Sequence, residues 1–284
     1  VAKLFKREAR VTIGTLQVEG LRMQFKIEKS LQQEPNKLDL SIWNLSADTR
    51  GKLTEAVEKK AAPVVVEAGY ASAPGSHSTT EVIFKGDART ISHGRQGADW
   101  ITRIGSGDGA NAYKSARMVA SFAPGTKRST VIEEAAKSLG MPLGNLKERI
   151  KAHDFKGALT EFVGGFATAT KAAQQLTELL DPLELGWSIQ DGHLQVLGDK
   201  DTTSAQAIVL SAESGLVGSP ELGDKGTVKL RSLLQPGIRP GRRLEVAAEA
   251  VKGLFRVERV VHTGDTHGSE WYSEAEAKPL GRAA

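Results

Sequence analysis

The sequence predicts a mainly β fold, with two β-barrel modules separated by a small α/β domain. Three observations carry that expectation. Apolar and polar residues alternate near the start of the chain, apolar residues recur at helical spacing in its middle, and the alternation returns toward its end. A period of two marks half-buried strands, and a period of about 3.6 marks amphipathic helices.

From Val11 to Leu45 the run VTIGTLQV is followed by LRMQFKIEKSL, with Leu21, Met23, Phe25 and Ile27 on one face, and by KLDLSIW, with Leu38, Leu40 and Ile42 on one face. Such alternation belongs to antiparallel strands with one buried side. The period then changes. Leu53, Ala56, Val57 and Lys60 fall at helical spacing, and Ser46 or Asp48 can cap a helix from about Ala47 to Lys60. Pro63 restarts extended chain, with strands at VVVEAGY, TEVIFKG, ARTISHG and ADWITRI and a turn-rich tip at APGSHS. Several short strands with turns between them point to a sandwich or a closed barrel, and closure removes exposed edges. The first module is expected over residues 1–122.

APGTKRST, after the strand-like ARMVASF, announces a boundary. Ser129 or Thr130 can cap the helix VIEEAAKSLG, which Gly140 stops, and NLKERIKA adds a short second helix. A third helix from Ala169 to Leu180 ends at Pro182, and Asp191-Gly192 between WSIQ and HLQVL signals a hairpin. Residues 123–206 are the expected α/β domain. The second barrel, 207–284, takes AIVLSAES, SGLVGSP, GTVKLRSLL, RRLEVAAEA, GLFRVERVVHTG and SEWYSEAEA, with QPGIRPG and TGDTHGS as turns.

Composition narrows the function classes. The 284 residues contain no cysteine, which removes disulfides, thiol nucleophiles and thiolate-bound metals, and 38 basic against 34 acidic side chains leave a modest charge of +4. The aliphatic run from Ala61 to Val66 is broken by Pro63 and is far short of the roughly 20 residues of a membrane span. No secretory core follows Val1 to Arg10, so no export signal and no membrane insertion are expected.

No catalytic constellation stands out. Gly105-Ser-Gly-Asp-Gly109 precedes Lys114-Ser115, but Tyr113 stands where a P-loop needs glycine, and the stretch reads as a glycine-rich hairpin tip. No G-x-S-x-G elbow is present. Glu133 and Glu134 are adjacent on a helix and point apart. His262, Asp265 and His267 could gather a metal in a tight loop, but their glycines and flanking strands describe a hairpin with solvated histidines. Lys225, Lys229, Arg231, Arg239, Arg242 and Arg243 form a basic stretch without interleaved aromatics, which fits a basic rim or an acidic protein partner better than a nucleic-acid reader.

The order of several segments resembles a known family. DLSIWNLSADTRGKL followed by VVVEAGY, VIFKGDARTISHGRQGADWITRIGSGDG, SFAPGT, LLQPGIRPGRRLEV and FRVERVVHTGDTHGSEWYSEAEA together resemble the central baseplate hub proteins of contractile-tailed bacteriophages. The similarity covers most of the chain and is weakest over Leu143 to Thr168. It implies two tail-tube-like barrels in one chain, so that a homotrimer offers six modules around an axial channel and joins a sixfold tube to a threefold spike. It implies a structural protein of the virion tail, assembled in the host cytoplasm, with no enzyme activity, no cofactor and no sequence-specific nucleic-acid binding. The implied partners are further copies of the chain, the tail tube or tube-initiator protein, the central spike, and tape-measure and wedge proteins. Three turns are the expected interface: Asn44, Leu45, Ser46 and Asp48; Gln235, Pro236, Arg239, Pro240 and Gly241; and Gly264, Asp265 and His267. Two alternatives are a peptidoglycan-binding or wall-degrading tail protein and the spike hub of a type VI secretion or other contractile injection particle.

Overall fold

The computed structural model describes residues 6–59, 62–71, 80–152, 160–203 and 206–280. The APGSHS tip lies outside them. Two compact units emerge: one draws its described residues from Val1–Ser30, Asn36–Asp108 and Thr202–Ala284, the other from Leu31–Pro35 and Gly109–Asp201.

The first unit opens with β1 (Lys6–Ile13) and β2 (Leu16–Glu19), joined by a turn at Gly14, and continues with the hairpin β3 (Met23–Ser30) and β4 (Lys37–Trp43). Strict alternation in β3 buries Met23, Phe25 and Ile27, and β4 buries Leu38, Leu40 and Ile42. Helix α1 (Ala47–Lys59) then crosses to β5 (Pro63–Ala71), laying Leu53 and Val57 into the same core. The long β6 (Glu81–Gln96) and β7 (Asp99–Gly107) complete this first set.

The second unit begins with α2 (Ala110–Lys114), so Gly105 to Gly109 is a strand-to-helix junction and not the expected hairpin tip. Gly109 is the reason: its φ of +68° permits the sharp change of direction, and a Cβ there would press into Ile189. There follow β8 (Arg117–Phe122), β9 (Thr126–Lys127), α3 (Arg128–Lys137), α4 (Leu146–Ala152), β10 (Glu161–Phe162), β11 (Phe166–Lys171), α5 (Ala172–Leu180), β12 (Leu185–Gln190) and β13 (His193–Gly198). Strand β8, inside the expected first module, pairs with β11 of this unit. Helix α3 starts earlier than its serine and threonine predict, at Lys127 without a side-chain cap, whereas the Asp191-Gly192 hairpin stands where its turn residues place it. Trp187 anchors the core, stacked 5.2 Å from Tyr113 and donating to Thr177 Oγ1 at 3.0 Å.

The chain then returns to the first unit with β14 (Ile208–Leu210), β15 (Leu216–Leu222), β16 (Val228–Leu233), β17 (Arg243–Ala247), β18 (Lys252–Asp265) and β19 (Trp271–Pro279). Two closed cylinders are not what these strands form. Strand β18 outruns its partner β17, and its far half pairs with β3 from Arg259–Ser30 to Asp265–Gln24, so strands from both parts of the chain merge into one ladder. Its order is β15-β16-β19-β18-β3-β4-β7-β6-β5-β1-β2, with β17 on β18 and β14 on β17, and among the described residues it does not close.

Within that ladder one pattern occurs twice. Strands β3 to β7 lie in the order β5-β6-β7-β4-β3, and strands β15 to β19 in the order β17-β18-β19-β16-β15. Helix α1 is the crossover of the first set, and residues 234–241 are the crossover of the second. Both long hairpins carry one register shift, between Ala88 and Thr90 in β6 and between Val257 and Arg259 in β18. Beyond it His93 faces Thr102 and Arg95 faces Trp100; in the other hairpin His262 faces Ser273 and Gly264 faces Trp271. Each set has its own apolar core, centred on Phe25, Phe84 and Leu53 in one and on Leu244, Phe255 and Val260 in the other.

Candidate functional site

Two of the three turns marked by the sequence occupy equivalent places in the two strand sets. Asn44 to Asp48 leaves β4 for α1, and Gln235 to Gly241 leaves β16 for β17. Gly264 to Ser269 is the tip of β18–β19.

At the first turn Asn44 adopts φ +58°, a left-handed conformation that asparagine tolerates better than most residues. Its amide clamps the β6–β7 tip: Nδ2 donates to Asp99 Oδ1 at 2.9 Å and Oδ1 accepts from the Trp100 N–H at 3.0 Å. Leu45 is buried in the core. Ser46 caps α1 by accepting from the Thr49 N–H at 3.1 Å, and exposed Asp48 pairs with Lys52 one turn on. Arg50 stacks over Trp100 at 4.2 Å.

At the β18–β19 tip Asp265 is buried and organises the loop. Oδ1 accepts from the N–H groups of His267 and Gly268, both at 2.9 Å, and Oδ2 meets Arg22 Nη2 at 2.8 Å. Burial alone would raise its pKa; the Arg22 guanidinium and the two N–H donors outweigh that and hold the carboxyl below the ordinary value. Arg22 also lies over Trp43 at 4.5 Å, which ties this tip to the first turn. Arg7 donates to the Gly268 and Ser269 carbonyls at 2.6 and 3.2 Å, and Gly264 leaves room for the Phe25 ring, which a Cβ would strike. Only His267 of the three marked residues here is exposed; it lines an open groove of about 1000 Å³ with Arg7, Arg10, Glu19 and Glu67. The Asp265 oxygens are committed to this loop. Among the described residues, no three or more His, Cys, Asp or Glu converge as a metal would require.

The turn from Gln235 to Gly241 is bound down at several points. Gln235 N–H donates to Ser273 Oγ at 2.9 Å, Pro236 and Pro240 are buried, and Gly241 N–H donates to the Val257 carbonyl at 2.7 Å. Arg239 reaches across to β6, giving Nη2 to Glu81 Oε2 at 3.0 Å and to the Val82 carbonyl at 2.9 Å. Tyr70 of β5 hydrogen-bonds the Leu234 backbone, and burial pushes its hydroxyl up to about 12. In the basic stretch Lys229 and Arg231 pair across the ladder with Glu276 and Glu274, at 3.8 and 3.5 Å.

The side chains that hold these turns include Arg7, Arg22, Arg50, Tyr70 and Ser273, none of which sequence reasoning singled out. The spacing of a histidine, then an acid-tryptophan pair, then a hydroxyl residue was the available signal: His93 with Asp99-Trp100 and Thr102, and His262 with Glu270-Trp271 and Ser273.

Comparison with known proteins follows the same fold. A tail protein from Neisseria meningitidis MC58 superposes with a TM-score of 0.63 at 11% identity, covering 96% of this chain and 97% of that one. The 43 kDa tail protein of prophage MuSo2 from Shewanella oneidensis gives 0.62 at 9% identity, with 97% of each chain covered. The E. coli c3393 protein, a type VI secretion component similar to the bacteriophage T4 tail proteins gp27 and gp5, gives 0.60 at 10% identity, covering 96% of this chain and 77% of that one. No curated protein matches by sequence. The model of the family described as Baseplate hub gp41 matches residues 8–276, and the chain belongs to that phage tail baseplate family.

Proposed function

We propose that three copies of this chain form the adaptor at the centre of the baseplate, joining a sixfold tail tube to a threefold central spike around an axial channel. The observation that carries this reading is the strand pattern that occurs twice in one chain. Three such chains offer six like modules to the tube while keeping threefold symmetry for the spike, and a contact between unlike faces closes into a ring when its rotation permits. The two tube-like modules are the five-strand sets within 1–122 and 207–284, on either side in sequence of the α/β domain expected over 123–206.

The role is one of assembly and not of catalysis, in the virion tail and built in the host cytoplasm. Asn44, Ser46, Asp48 and His267 are the exposed members of the marked turns and the direct contacts in this reading, with half-buried Gln235 and Arg239 beside them. Leu45, Pro236, Pro240, Gly241, Gly264 and Asp265 give the turns their shape. The partners are the tube or tube-initiator protein, the spike, and tape-measure and wedge proteins. The likeness to the type VI secretion component favours, as a second reading, the equivalent hub of another contractile injection particle.

Light scattering on the chain co-purified with its spike partner tests the proposal. A mass of three chains per complex is expected; monomers alone under assembly conditions would count against it. Release of soluble sugars or peptides from purified cell wall would move a wall-degrading role ahead of it.

A further inference from the structure

His93 and His262 stand at equivalent places on the two long hairpins, each facing a buried hydroxyl across the ladder. Nδ1 of His93 is 2.9 Å from Thr102 Oγ1, and Nδ1 of His262 is 2.8 Å from Ser273 Oγ. The other side of each ring meets the crossover segment. His93 Nε2 is 2.9 Å from Thr54 Oγ1 on α1, and His262 hydrogen-bonds the Ile238 backbone in residues 234–241.

The surrounding bonds decide where the protons are. The Thr54 hydroxyl donates to the Arg50 carbonyl at 3.0 Å, so it accepts from His93, which places the proton on Nε2 and leaves Nδ1 to accept from Thr102. The Ile238 N–H is given to the Gln235 carbonyl at 3.1 Å, so His262 donates to the Ile238 carbonyl, again from Nε2, and accepts from Ser273 at Nδ1. Burial lowers the pKa of both, which favours the neutral ring in this shared tautomer.

We propose that His93 and His262 are positioning residues, one repeated clamp in which an Nε2–H imidazole fastens the crossover segment to its hairpin and fixes the Asn44 and Gln235 turns on the two modules. The clamp itself stands on the hydrogen-bond geometry; its bearing on contacts with neighbouring tail proteins rests on the hub reading. It accounts for two unlike connections, a helix and a tight turn, being held at one and the same rung of the two hairpins.

Hydrogen exchange of the intact protein, read by mass spectrometry, tests the clamp. His93→Ala should speed exchange over 47–59 by about ten-fold, as loss of a hydrogen bond worth about 1.4 kcal/mol predicts, and leave 234–241 unchanged. His262→Ala should do the reverse. His93→Gln, which keeps an amide donor toward Thr54, should restore much of the protection. Unchanged exchange over 47–59, or equal loosening of both segments by either variant, would overturn the proposal. Should His262→Ala fail to fold, nitrogen NMR of the imidazoles in the unmodified protein decides: a bare Nδ1 in both rings supports the clamp, and a proton on Nδ1 in either contradicts it. Because none of these readouts needs a partner, they can succeed even if the chain forms no trimer, which would fault the hub reading alone. Binding of the His93→Ala protein to its tail partners with undiminished affinity would remove the clamp's part in assembly.

Discussion

Asp265 shows how a turn residue read from sequence takes its meaning from distant partners. The motif TGDTHGS marks a hairpin tip, but nothing local reveals that Arg22 and Arg7 from the start of the chain hold it. Replacing Asp265 by alanine leaves the His267 and Gly268 N–H groups without their acceptor, and should cost about 2 kcal/mol in urea unfolding, with Asp265→Asn costing less. His262 carries a pH signature as well. Burial first, then the charges of Lys29 and Arg239, lower its pKa to about 3 against the bond to Ile238 that raises it. The unfolded chain therefore takes up a proton below about pH 6.5 that the folded chain refuses. Stability is fully present above that pH and should fall by ~1.4 kcal/mol per pH unit from there toward pH 3. Thermal unfolding across that range should show the slope, and His262→Gln should flatten it.

Strands and helices differed in how openly the sequence announced them. Alternation placed β3 and β4, the restart of extended chain at Pro63 placed β5, the spacing of Leu53 and Val57 placed α1, and Asp191-Gly192 placed its hairpin, because each signal is local. Closure was not local. Whether β18 ends with its hairpin partner or runs on to pair with β3 depends on its length against that of β17, and among the described residues the outcome is one open ladder. The family resemblance implied two like modules, but no periodicity displayed them, for a related reason: the tip Gly97-Ala98 in one hairpin is replaced by Thr266 to Ser269 in the other, so no fixed period aligns them. Gly264 lies at that merging of strands. Gly264→Ala would drive a methyl into Phe25 and should destabilise the protein by about 2 kcal/mol in denaturant unfolding, while Gly51→Ala on the exposed face of α1, with helical backbone and nothing near its missing Cβ, should not destabilise it.

A single chain with two like strand sets has a geometric use that a single set lacks: in the proposed trimer it would turn three copies into six presentations of the same shape. The marked turns were legible as turns, and their family resemblance as an ordering of segments, yet half of their residues are buried and serve the fold. What sequence could not supply was the pairing of those turns across the repeat, since it lies in strand order and register. Electron cryo-microscopy of isolated baseplates can count the copies of this chain around the axis. Three copies are expected, with their two strand sets alternating at steps of about sixty degrees facing the tube; six copies in the ring, or three whose two sets occupy unrelated positions, would overturn the adaptor role.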